Sequence, residues 1–158
     1  MKMDWKQLVS PKRLGNPKSH QSVGRSQFQR DFDRIIFSSS FRRLQDKAQV
    51  VPLPESDYVR NRLTHSLETS SVGRSLGTEA GLKLKGLRSY ASDIGAIVAA
   101  ACVAHDIGNP PFGHSGEEAI RTWFKRPESA KSFLSGLSQE QKNDFLEFEG
   151  NAQGFRIL

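Results

Sequence analysis

The sequence predicts an all-α fold. Apolar residues recur at helical spacing in several segments, serine-led capping patterns punctuate the chain, and strand-like and helix-like segments do not alternate. The length, 158 residues, suits one ordinary domain or part of a larger one. Thirteen Gly and seven Pro are too few for collagen-like or low-complexity character. The single cysteine, Cys102, excludes a disulfide framework and a thiolate zinc knuckle. No apolar run approaches the ~18 residues needed to cross a bilayer, and the N-terminus has no signal-peptide core. The expectation is a soluble protein of a reducing compartment, with no membrane partner and a cytoplasmic location.

Residues 1–27 are polar and broken by Pro11, Gly15, Pro17 and Gly24, so they read as a basic N-terminal arm with little regular structure. His20 lies in this arm and reads as solvated. Phe28, Phe32, Ile35 and Ile36 follow the i, i+4, i+7, i+8 spacing of an amphipathic helix. Ser38-Ser39-Ser40 interrupts it and can cap a second short helix carrying Phe41, Leu44 and Ala48. Val50 to Pro54 is β-branched and proline-bounded, hence an extended linker or edge strand. A helix starts near Arg62–Thr64, carries a weak stripe of Leu67, Val72 and Leu76, and meets Gly81 as a stop. Residues 93–106 are apolar almost all round, with Asp93 suited to cap them, and such a helix belongs in the centre of a domain. Asn109-Pro110-Pro111 ends it. Ser115 with Glu118 fits a capping box for a helix through Trp123, ending before Pro127. Ser138 with Gln141 opens a last helix to about Gly150.

Charge is uneven. Residues 1–45 hold ten Lys or Arg and three acids, an excess of +7, whereas the whole chain carries +6. Such a segment can be a solvated arm, or can neutralise phosphates of a nucleotide or nucleic acid.

Three of the four histidines carry the chemistry. His105 and Asp106 sit together at the end of the apolar helix. Two ionisable groups there cost several kcal/mol if unpaired, and a carboxylate meets the unfavourable end of the helix dipole. A divalent cation resolves both problems, and imidazole with carboxylate suits Mn, Fe, Co, Ni or Zn more readily than Mg. His65, from another helix, is a plausible third ligand; two His and one Asp leave positions open for water or substrate. A lone His-Asp pair equally suits a surface ion pair or a satisfied core hydrogen bond. The context favours metal: the Gly108-Asn109-Pro110-Pro111 break and His114-x-x-Glu117 continue a constrained polar stretch that core packing does not require. His114 and Glu117, three apart, can form a general acid–base pair; alternatively Glu117 complements a helix dipole and His114 bonds a loop carbonyl.

Four blocks, FRRLQDKAQV (41–50), RNRLTHSLETSSVGRSLG (60–77), AHDIGNPPFGHSGEEA (104–119) and FEGNAQGFR (148–156), resemble the N-terminal part of the bacterial deoxyguanosinetriphosphate triphosphohydrolases, HD-domain metal-dependent phosphohydrolases. The resemblance covers most of residues 28–158 and is specific because the blocks occur together and in order. It implies an all-helical HD domain, of which residues 28–158 are the N-terminal portion. It implies hydrolysis of a deoxynucleoside triphosphate, dGTP favoured, to deoxynucleoside and inorganic triphosphate. His65, His105 and Asp106 would ligate the metal, and His114 with Glu117 would be the catalytic pair near the α-phosphate. Gln49 would contact the sugar 3′-hydroxyl and leave no room for a 2′-hydroxyl, with Val50 packed beside it. Arg62, with Arg43, would bind phosphate. Members form homo-oligomers, and some bind single-stranded DNA. The family's fourth metal ligand, an aspartate, falls beyond Leu158, so the chain is expected to be a fragment. Another HD hydrolase, a nucleotidase or phosphodiesterase, would use the same metal set without Gln49 or FEGNAQGFR. A nucleic-acid-binding or regulatory fragment without activity would rest on the basic segment.

Overall fold

The computed structural model describes residues 4–13, 24–47 and 61–158. Among these residues there is no β-strand, as the all-α expectation requires. The order is α1 (Trp5–Leu8), α2 (Gln27–Phe37), α3 (Ser39–Arg42), a 3-10 turn (Arg43–Asp46), α4 (Arg62–Lys83), a second 3-10 turn (Arg88–Tyr90), α5 (Ala91–Ala104), α6 (Gly113–Lys125), α7 (Pro127–Leu134), α8 (Gln139–Leu146) and α9 (Gly150–Ile157). His20, Ala48, Gln49, Val50 and the Val50–Pro54 segment lie outside the described residues.

The α2 stripe forms as its spacing predicts, behind a capping box between Ser26 and Gln29. Phe32, Ile35 and Ile36 pack on a core of Phe41, Leu44, Val103 and Ile107. Ser38 caps α3 by accepting the Phe41 N–H. In the arm, α1 adds a short helical turn where none was expected, and Arg13 is tied to α2 through the Gln27 carbonyl (3.1 Å) and the Asp31 carboxylate.

The α4–α5 pair forms the centre, with α2 packed on α5. Here the apolar stripe misleads. Leu67, Val72 and Leu76 face solvent, 42%, 60% and 61% exposed, while Ser66, Ser70, Gly73, Gly77 and Gly81 form the buried face of α4. Small residues at this face bring the two backbones close, so each helix gains dispersion contacts along its length. A Cβ at Gly77 would stand 2.9 Å from Val98 Cγ2, and one at Gly81 2.7 Å from Ala91 Cα. Gly81 is therefore a close-approach residue inside the helix, which continues to Lys83, rather than a stop. Ser70 Oγ donates to the Ala99 carbonyl at 3.0 Å, which satisfies one hydroxyl inside this seam.

α5 buries Ala91, Gly95, Ala96, Ala99, Val103 and Ala104 and leaves Ser92 and Ala101 exposed, so it is central without being fully enclosed. Asp93 lies in its first turn; Tyr90 holds the N-cap position. The helix ends at Ala104 with His105 as C-cap, which puts Asp106 in the turn beyond it.

α6 starts at Gly113, ahead of the expected Ser115, and no side chain caps it. The proline-bounded turn delivers the chain through Phe112 at φ 66° and Gly113 at φ 54°, and the Gly113 N–H donates to Pro110 O at 3.2 Å. The helix therefore begins before Ser115 can act as a cap. Pro127 ends α6 and also opens α7 at a position that tolerates its missing N–H. The Ser138–Gln141 capping box forms, but α8 stops at Leu146; Glu149 then caps α9 by accepting the Ala152 N–H at 2.7 Å. Trp123, Phe124, Phe133 and Phe145 gather between α6, α7 and α8, the Phe124 and Phe145 ring centroids 4.6 Å apart.

Gly81→Val is expected to destabilise the protein by about 1–3 kcal/mol through overpacking of the seam, seen as a lower urea midpoint. Gly136→Ala, whose Cβ would meet nothing within 4 Å, should stay within about 0.5 kcal/mol of the parent. Equal midpoints for the two variants would contradict the close α4–α5 approach.

Candidate metal centre

α4 begins at Arg62 behind Asn61, whose side chain accepts the Thr64 N–H at 2.9 Å. This cap fixes the first turn, and with it His65. The α4–α5 seam then sets that turn beside the end of α5. His65, His105 and Asp106 each offer a ligand atom, and these atoms lie within 4.8 Å of one another. The two imidazoles meet edge to face, 5.2 Å between ring centroids. Ligands of one ion at about 2.1 Å can be at most about 4.2 Å apart, so modest side-chain adjustment closes the set onto a single cation.

The tautomer of His105 suits this. Its Nδ1 lies 2.7 Å from the Cys102 carbonyl, which can only accept, so Nδ1 is the donor there and Nε2 is the ring nitrogen left to face the cluster. Nε2 is 3.5 Å from Asp106 Oδ2. The Asp106 carboxylate is 5% exposed. Its Oδ1 accepts from Asn109 Nδ2 at 2.6 Å. Its Oδ2 has Arg62 Nη1 at 2.8 Å, but no N–H is aligned on it, so this buried oxygen has no hydrogen bond. The convergence of two imidazoles on a buried carboxylate, whose Oδ2 is ion-paired to Arg62 and 3.5 Å from His105 Nε2, is a donor set that suits a divalent cation.

Arg62 is 8% exposed and lies against Asp106 and Gly113, where a Cβ would stand 2.9 Å from Arg62 Nη2. Gly113 precedes His114, so Arg62 links the His65, His105 and Asp106 cluster to the start of α6. Lys47 joins the same region: its ammonium donates to Asn109 O at 2.5 Å, and its backbone carbonyl accepts the Arg62 N–H at 3.0 Å. Burial, then the Arg62 and Arg43 charges, pull the Lys47 pKa down, while Asp106 pulls it up. Arg43 is exposed on the 3-10 turn and reaches this cluster only through its charge.

His114 and Glu117 pair as their spacing predicts. His114 Nδ1 lies 3.0 Å from Glu117 Oε2, and the His114 side chain is 95% exposed with Nε2 free to meet a ligand. Glu117 is buried and accepts the Gly150 N–H on Oε1 at 2.9 Å. Arg121 stands 3.9 Å from the carboxylate and donates to Phe148 O at 2.7 Å. The His114 hydrogen bond holds the Glu117 carboxyl below the usual carboxylate range. Burial opposes this, and the Gly150 N–H and the His114 and Arg121 charges reinforce it.

The structure thus brings His65, His105, Asp106 and Arg62 together and pairs His114 with Glu117. Asn109, Lys47 and Arg121 join these groups although sequence reasoning assigned them nothing. Signals for two of them were present: Asn109 follows Asp106 by three residues in a turn, and Arg121 follows Glu117 by four on a helix. Lys47 had no comparable signal.

A helical pair sets His65 beside His105 and Asp106, a group that could hold a metal ion, and the next helix carries the His114–Glu117 pair. The model of the HD domain matches residues 62–149, and the chain belongs to the HD-domain family. It is 54% identical over 160 residues to a deoxyguanosinetriphosphate triphosphohydrolase-like protein of Pseudomonas aeruginosa. It is 52% identical over 166 residues to a protein so described from Synechocystis, and 35% identical over 189 residues to a deoxyguanosinetriphosphate triphosphohydrolase of Klebsiella pneumoniae. Each alignment takes in 99% of this chain and 36% to 37% of the relative. The chain therefore spans little more than a third of the length of the curated relatives it matches.

A carboxyl whose pKa is lowered by folding stabilises the native state above its unfolded pKa, and loses that contribution as pH falls through the lower, folded value. Glu117→Ala is expected to cost about 1–3 kcal/mol at neutral pH, since it orphans the Gly150 N–H. The gap to the parent in urea midpoint should narrow only below the ordinary carboxylate range. A gap independent of pH would contradict the role given to the ionised group.

Proposed function

We propose that the protein is a metal-dependent phosphohydrolase that converts a deoxynucleoside triphosphate, dGTP favoured, to the deoxynucleoside and inorganic triphosphate. The observation that carries the metal dependence is the convergence of His65, His105 and the buried Asp106, whose ligand atoms lie within 4.8 Å of one another. The names of the relatives support the substrate, through alignments that take in 99% of this chain. In this reading residues 28–158 contribute the N-terminal portion of the catalytic domain and residues 1–27 a basic arm.

His65, His105 and Asp106 would hold the cation. Bound there, it would polarise a phosphoryl oxygen and lower the pKa of water. The protein's own groups do the rest. Glu117 orients His114 through Nδ1, so that Nε2 can give a proton to the departing 5′-oxygen as the bond to the α-phosphorus breaks and water adds to phosphorus. Arg62, held between Asp106 and Gly113, and Arg43, at the surface, supply positive charge for the polyphosphate. Gln49 and Val50 would read the deoxyribose. Partners in this reading are the nucleotide, further copies of the chain, and single-stranded DNA along the basic N-terminal segment, in the cytoplasm. No helix among the described residues is long and apolar enough to cross a membrane.

In the protein at the length of its relatives, His114→Ala is expected to lower triphosphate release by at least ~100-fold while leaving metal content unchanged. Asp106→Ala should remove metal and activity together. Product analysis with dGTP should show inorganic triphosphate; pyrophosphate or monophosphate would point to another HD hydrolase. A metal-replete, fully active Asp106→Ala protein would contradict the assignment.

A further inference from the structure

The turn after α5 carries a second layer of contacts that neither the metal set nor the acid–base pair explains by itself. Asn109 donates from Nδ2 to Asp106 Oδ1 at 2.6 Å. A carboxylate can only accept, so the amide nitrogen must face it and the amide oxygen must face away. This bond occupies one carboxylate oxygen and turns the other, Oδ2, towards His105 Nε2 (3.5 Å) and Arg62 (2.8 Å). Asn109 is itself restrained: its N–H donates to Asp106 O at 3.1 Å, and its carbonyl accepts from Lys47 Nζ at 2.5 Å.

The amide oxygen of Asn109 lies directly over Gly150, the first residue of α9. A Cβ at Gly150 would strike Asn109 Oδ1 and stand 2.7 Å from Glu117 Oε1. The Gly150 N–H donates to that same Glu117 oxygen at 2.9 Å. Gly150 is buried, and one backbone position thus touches the residue that orients Asp106 and the residue that orients His114. Only glycine leaves room for both contacts.

We propose that Asn109 is a positioning residue for the Asp106 carboxylate, and that Gly150 seats Asn109 and Glu117 together, so that the metal ligands and the His114–Glu117 pair are aligned by one shared support. This rests on the reading of His65, His105 and Asp106 as a metal set. The partner of an inward-facing ligand carboxylate commonly governs metal affinity as strongly as about 10–100-fold. A residue that merely stabilised the turn would change the stability of the metal-free chain and leave the ligand field of a bound ion alone.

The test is titration of the protein at the length of its relatives with Co2+, read by calorimetry and by the visible absorption of the bound ion, for the parent, Asn109→Ala, Asn109→Asp and Gly150→Ala. Metal-free melting of each variant is recorded alongside. The expected result is a loss of Co2+ affinity of about 10-fold or more for all three, with an altered visible spectrum, beyond any change in metal-free melting. Gly150→Ala keeps every side chain of the site, so it carries the test if Asn109→Ala does not fold. Parent-like affinity and spectrum in folded Asn109 and Gly150 variants would overturn the proposal while leaving the metal set standing. A parent protein of that length that takes up no Co2+ would instead overturn the metal set, and this proposal with it.

Discussion

The Asp106 carboxylate sits 5% exposed at the end of an apolar helix, and the surrounding residues answer the cost of placing it there. Left alone, a carboxylate in that position would take up a proton or pull the turn open. Instead a guanidinium from the first turn of α4, an amide from the following turn and two imidazoles surround it. These groups come from separate parts of the chain. They converge because α4 lies almost backbone to backbone on α5, an approach set along the seam by Gly73, opposite Cys102, and by Gly77 and Gly81 beyond it. The packing of small residues along the seam thereby sets the first turn of α4 beside the end of α5.

The turn between α5 and α6 converts this placement into two distinct electrostatic environments. Around Asp106 the neighbours are a guanidinium, an amide and two imidazoles. Around Glu117 a histidine, a backbone N–H and a more distant arginine hold a second anion, and the histidine projects outward. Phe112 at φ 66° is the local strain that lets the chain pass from one environment to the other within a few residues. Such strain persists where the surroundings over-determine the backbone, and here Pro110, Pro111 and Gly113 do so.

The juxtaposition of the candidate site residues was legible in the sequence, because metal and acid–base chemistry would call for such residue types at such spacings. His65, His105, Asp106, His114 and Glu117 could be named from those demands and from the four blocks that resemble a known family. The α2 stripe and the Ser138 cap were legible for the same local reasons. The register of α4 was not. Hydrophobic periodicity marks a face that buries large side chains, whereas this face buries Ser and Gly, and the leucines that dominate the pattern point to solvent. Ser115 with Glu118 has the composition of a capping box, yet the left-handed Phe112 starts the helix first, a backbone event that composition does not report. Asn109 and Lys47 acquire meaning only when α5, α9 and the 3-10 turn at 43–46 are placed together, which is tertiary information.

The most direct test of the account is where a divalent cation binds. Anomalous diffraction from crystals of the full-length protein grown with Mn2+ should give a peak about 2.0–2.3 Å from a ring nitrogen of His65, from His105 Nε2 and from an Asp106 carboxylate oxygen. Mn2+ bound elsewhere, with His65 and His105 turned away from Asp106 in its presence, would contradict it.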